Sequence, residues 1–185
     1  MCGQLNNQIQ IMKKRTQIIL GILHVVAWLA FVGLIIKAGA ILISYTVSTW
    51  NPEGAKNLYN GWNLYNLKQY DFGHYTATAL MMVVVLLLQA YVAYLIVRVL
   101  SKIKIANPFS SEVSNVLERV SYFILLIWVA ALLYDGHVNW LEKRIPDLQK
   151  NLISLDFLFF AGIVFVFAQI FKKGVELQSE NELTV

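Results

Sequence analysis

Four long apolar stretches fix what this chain can fold into. From residue 18 to 47 the only charged or imidazole side chains are His24 and Lys37. The second stretch, 75–97, carries no charge at all. The third, 120–141, holds Asp135 and His137 near its end, and the fourth, 152–171, holds Asp156 near its start. About 20 apolar residues in a helix cross the hydrocarbon core of a bilayer, so each stretch reads as a span. The three prolines, Pro52, Pro108 and Pro146, all fall between the stretches. Proline breaks helices, so this placement supports the division. The reading is a single all-α domain: an integral membrane four-helix bundle with a tail over 172–185.

Composition agrees. Only 14% of the residues are charged and 58% are hydrophobic, against about 25% charged in soluble proteins. Too little polar surface remains to clothe a body in water, and lipid supplies the matching solvent. A cleaved signal peptide competes for the first stretch, with Lys13, Lys14 and Arg15 as its charged start and Ala38-Gly39-Ala40 as its cleavage site. Signal cores run about 7–15 residues; this one is longer and continues past the site as Ile41-Leu42-Ile43. The first stretch is therefore expected to stay as a span.

Direction follows from Lys and Arg. Nine of the fifteen lie on one side: Lys13, Lys14 and Arg15 before the first span, Arg98, Lys102, Lys104 and Arg119 in the second loop, and Lys172 and Lys173 in the tail. Five lie opposite: Lys56, Lys68, Lys143, Arg144 and Lys150. Positive residues favour the cytoplasm, which predicts both termini inside. The net charge of +4 sits beside the spans, so the chain itself is not expected to bind nucleic acid. The single cysteine, Cys2, has no intrachain partner and reads as an inert thiol.

The outer loop, 48–74, is rich in aromatics: Trp50, Tyr59, Trp62, Tyr65, Tyr70 and Phe72. Amphipathic rings settle at the headgroup level, so this loop is expected to lie on the outer interface. Inside, Asn107-Pro108-Phe109-Ser110 reads as a helix start with Asn107 at the N-cap and Pro108 in the first position. That cytoplasmic helix then runs into the third span. The tail is expected to stay helical for a turn or two. Its acids and apolar residues, Glu176, Leu177, Glu180, Leu183 and Val185, form a candidate docking segment for a protein surface.

The ending Gln169-Ile170-Phe171-Lys172-Lys173-Gly174-Val175-Glu176-Leu177-Gln178-Ser179-Glu180-Asn181-Glu182-Leu183-Thr184-Val185, with the Asn107-Pro108-Phe109-Ser110 step, resembles a bacterial membrane family catalogued as domain of unknown function 2975. The likeness extends from the first span to the C-terminus, with the outer loop least matched. It implies a four-span protein of the bacterial inner membrane with no assigned reaction. It also implies association with a small helix-turn-helix regulator, and it supplies no catalytic residues to transfer.

Polar groups inside spans are costly and are functional suspects by default. His24, roughly 9 Å into the first span, and Gln89, roughly 12 Å into the second, fall at one level, which predicts a hydrogen bond between them. Lys37, Asp135 and Asp156 all fall in the outer third. Asp135 shares a helix face with Ser121, Trp128 and Glu142, and Lys37 is expected to face Asp135 or, second, Asp156. His74 and His137 sit at the outer ends of their spans, the level a bis-histidine haem site would need. Asp135 and His137 are two positions apart, so they point opposite ways. No catalytic triad, metal cluster or phosphate loop stands out, and no cofactor is expected. The expectation is a non-enzymatic membrane protein acting in regulation or sensing through a cytoplasmic partner. A small oligomeric transporter or channel subunit, and a haem- or quinone-binding redox protein, are the alternatives.

Overall fold

The computed structural model describes residues 2–58, 63–103, 110–145, 148 and 156–182. Among them the fold is all helical, without strands. Helix α1 spans Cys2–Trp50, α2 Tyr65–Tyr70, α3 Phe72–Lys102, α4 Ser111–Glu142 and α5 Asp156–Glu182, with a 3-10 helix over Pro52–Lys56 between α1 and α2. Three helical segments are long and apolar enough to cross a membrane: Lys14–Trp50, Phe72–Lys102 and Ser111–Glu142. They coincide with the first three expected spans. The described helix α5 starts at Asp156, so the expected opening of the fourth span, 152–155, lies outside the described residues.

The helices are longer than the spans they contain, and side-chain caps set the starts of α3 and α4. Ser110, not Asn107, caps α4: its hydroxyl accepts from the Val113 amide at 3.3 Å. The expected Asn107-Pro108 start lies outside the described residues. Asp71 caps α3, its carboxylate accepting from the His74 amide at 2.7 Å. Helix α5 runs unbroken to Glu182, further than the turn or two expected of the tail.

The helices meet in chain order. Helix α1 packs on α3, α3 on α4 and α4 on α5, while α1 meets neither α4 nor α5 among the described residues. This is a row, open along both edges, and differs from the expected four-helix bundle in having, among the described residues, no common centre shared by all four long helices. The pairing of α3 with α4 keeps one register along its whole length. Residues whose numbers sum to about 214 lie opposite: His74 near Trp140, Tyr91 near Phe123, Lys102 near Glu112.

Two apolar clusters hold the row together. One joins α3 to α4 at the Lys102 end through Val92, Leu95, Val99, Val113, Val116, Val120 and Ile127. The other lies at the opposite end and reaches into the loop between α1 and α3. There Ala55, Leu58, Leu64 and Leu67 are buried with Ile41, Tyr75, Tyr134 and Val138. The loop is therefore a folded cap on the helix ends. The Leu64 amide donates to the Ala55 carbonyl at 2.8 Å and closes it. Gly54 sits so close to the end of α1 that an added Cβ would lie 3.3 Å from the Ser48 backbone. Of the aromatics expected at the interface, Trp50 is 89% exposed and Tyr70 and Phe72 are half exposed. Tyr65 is half-buried against the cap, and Tyr59 and Trp62 lie outside the described residues.

Candidate functional site

The polar chemistry gathers at the capped end. Three elements meet there through Ser48, which is fully buried at the end of α1. Its hydroxyl lies 2.6 Å from the Tyr75 hydroxyl of α3 and 2.6 Å from the Tyr45 carbonyl. The Lys68 ammonium of α2 donates to the Ser48 carbonyl. Tyr45 stacks on Tyr75 with ring centroids 5.5 Å apart, and its hydroxyl meets Thr76 at 3.0 Å. A buried hydroxyl without a partner costs about 1–3 kcal/mol, and this clasp leaves neither Ser48 nor Tyr75 alone.

Beside the clasp, the α3–α4 register builds a column of rings. His74, in the first turn of α3, lies 5.4 Å from the His137 ring and 5.4 Å from the Trp140 ring of α4. The Arg144 guanidinium caps Trp140 at 4.2 Å. His137 and Trp140 are three apart on α4 and share one helix face, and Arg144 follows in the turn just past the end of the helix. The shared level of His74 and His137 is legible in the sequence as a candidate histidine pair; Trp140 and Arg144 are not singled out there. The spacing of His137 and Trp140, set beside the level of His74, is the signal that could have found the column.

Two atoms in this region are orphans. The Asp135 Oδ1 and the His137 Nε2 are buried without a hydrogen-bond partner. The expected pairing of Asp135 with Lys37 is not formed through that oxygen, and the backbone of α1, which carries Lys37, makes no close approach to that of α4. The side chain of Asp156, the second expected partner, lies outside the described residues. His24 takes its hydrogen bond from its own helix: the Trp28 indole donates to its Nε2 at 3.1 Å. The expected bond to Gln89 is replaced by this one-turn contact. The two imidazoles of the column touch each other directly, whereas a bis-histidine haem iron needs them on opposite faces of the porphyrin. Among the described residues no three His, Cys, Asp or Glu side chains are close enough to hold a metal ion.

The other end of the row carries ion pairs. Lys102 of α3 meets Glu112 of α4, and Lys172 of α5 meets Glu118 of α4 at 3.9 Å. Lys173 pairs with Glu176 one turn on at 3.0 Å, and that hydrogen bond raises its pKa above the ordinary 10.5. In the tail Ala168 is buried and Phe171, Val175 and Gln178 are half-buried. Their spacing is that of one helix face. The opposite face presents Leu177, 51% exposed, with Glu176 and Glu180 also exposed. Of the expected docking residues, Leu183 and Val185 lie outside the described residues.

Residues 55–185 match the model of a family described as Protein of unknown function (DUF2975). The match bears out the resemblance from the second span to the C-terminus; it takes in most of the outer loop and leaves out the first span, which was expected to be covered. No curated protein and no solved structure matches the chain.

Proposed function

We propose a regulatory or sensory role, without catalysis, for this chain, which belongs to the DUF2975 family. In this reading it is a four-span protein of the bacterial cytoplasmic membrane with both termini inside. A cytoplasmic protein, of the small helix-turn-helix kind the family resemblance implies, receives its signal. One observation carries the reading. Helices α4 and α5 both continue past their apolar stretches and are tied together there by Lys172 and Glu118. The nine residues of α4 before residue 120 add about 13 Å, and the eleven of α5 after Phe171 about 16 Å. A rigid two-helix stalk with Leu177, Glu176 and Glu180 outward is a surface built to be read by a soluble partner. The capped end, with its ring column, supplies a contrasting polar centre on the other side of the bilayer.

The test is a photo-crosslinking residue placed at Leu177 in living cells, with Lys143 as the control on the opposite face. A discrete adduct with a soluble cytoplasmic protein at Leu177, absent at Lys143, is the expected result. Adducts with lipid or with this chain alone would refute the partner.

A further inference from the structure

Among the described residues the row leaves one face of the α3–α4 pair uncovered, and its side chains are graded from one end to the other. Helical steps of 100° put Leu80, Val84, Leu87, Tyr91 and Arg98 of α3 within about 60° of one another. The same arithmetic groups Leu133, Ala130, Leu126, Phe123 and Arg119 on α4. These two stripes border one furrow. Leu80, Met81, Val84, Ala130 and Leu133 line a groove of about 240 Å³ in it. Tyr91 and Phe123 touch across it with ring centroids 4.5 Å apart. In the shared register Arg98 lies opposite position 116, three residues from Arg119, so the two arginines stand about 4.5 Å apart in height.

Both arginines are exposed, and neither makes an ion pair among the described residues. That sets them apart from Lys102, Lys172 and Lys173 at the same end, each of which has a glutamate. A guanidinium binds phosphate through a planar fork of donors. Basic pockets between spans on the cytoplasmic side accept anionic lipid headgroups. Half a bilayer is about 15 Å thick, or about ten helical residues. An acyl chain descending from the level of Arg98 therefore passes Tyr91 and Phe123 and ends near Leu87 and Leu126.

We propose that the cytoplasmic end of the α3–α4 furrow is a binding site for an anionic phospholipid. Its phosphate sits on Arg98 and Arg119, and one acyl chain lies along Tyr91, Phe123, Leu87 and Leu126. The cytoplasmic placement rests on the orientation proposed above; the binding itself does not.

The experiment is native mass spectrometry of the full chain in detergent, titrated with phosphatidylglycerol or with phosphatidylcholine. Phosphatidylglycerol should bind as one tight copy and phosphatidylcholine weakly. Arg98→Gln and Arg119→Gln should each weaken the tight copy about fivefold and the double variant about thirtyfold. Arg98→Lys with Arg119→Lys should recover part of the loss. Lys143→Gln should change nothing. Circular dichroism of each variant checks that the helices persist; because both side chains are exposed, they should. Equal binding of the two lipids, an unaffected double variant, or displacement of the lipid by millimolar inorganic phosphate would each overturn the site. Separately, Ser101→Cys should react with an impermeant maleimide only after lysis. Labelling from outside would overturn the orientation and leave the lipid result standing.

Discussion

Replacing Ser48 by alanine should destabilise the chain more than replacing Tyr75 by phenylalanine, although both break the same hydrogen bond. The two hydroxyls are 2.6 Å apart and fully buried. In Ser48→Ala the Tyr75 hydroxyl stays behind, buried and without its partner, a cost of about 1–3 kcal/mol. In Tyr75→Phe the Ser48 hydroxyl keeps its 2.6 Å bond to the Tyr45 carbonyl. Only the net value of one bond is then lost, about 1 kcal/mol. The double variant leaves no orphan and should cost about as much as Tyr75→Phe alone. The coupling is therefore about 1 kcal/mol or more, above the average of about 0.6 kcal/mol for hydrogen bonds between membrane helices. Denaturant unfolding in mixed micelles, followed by circular dichroism as a double-mutant cycle, measures all three. Strict additivity, or a harmless Ser48→Ala, would refute the idea that this clasp fastens α1, α2 and α3 together.

Lys37→Ala and Asp135→Ala should have additive effects on thermal stability, because the backbones of α1 and α4 make no close approach; a coupling above about 0.5 kcal/mol would count against this. Gly54→Ala should cost about 1–3 kcal/mol by forcing a Cβ against the Ser48 backbone, read in the same unfolding assay. Glu118→Gln should cost less than about 1 kcal/mol, and the loss should shrink at high salt, since its partner Lys172 is half exposed. The Glu53 hydrogen bond raises the Lys56 pKa above 10.5, so that pair is fully formed below 10.5 and is lost only as pH rises through the higher folded value. Circular dichroism of the cap should accordingly stay flat from pH 6 to 9.

The first three spans were legible because their signal is local: an unbroken apolar run needs no knowledge of its neighbours. The cap was not. Its closure joins Leu64 to Ala55 and buries Leu58 and Leu67 between two short elements, a pattern with no period to read. The His24 expectation went astray through reach. The contacts of Phe31 with Tyr94 and of Tyr45 with Thr76 set an α1–α3 register that puts Gln89 opposite residues 32–36, well beyond the reach of His24, and Trp28, four residues on, offers a donor in place. The histidine column shows the opposite case. Level and spacing were both in the sequence, and only the α3–α4 register, visible once the helices are set side by side, turns them into one feature. For Lys37 and Asp135 the expectation rests on depth alone, and depth does not tell which helices are neighbours; the backbones of α1 and α4 make no close approach.

That chain-order row also bears on how the protein is made. Each long helix needs only the one before it, so α1 with α3, then α4, then α5 can settle in the order in which a ribosome delivers them. No helix has to wait for a distant segment, and loop-closure entropy stays small at every step. The cap is part of the first such unit, since it lies between α1 and α3 and seals the hairpin they make. A nascent chain arrested after Lys102 already contains the α1–α3 hairpin and the cap residues, whose burial Tyr134 and Val138 of α4 then complete.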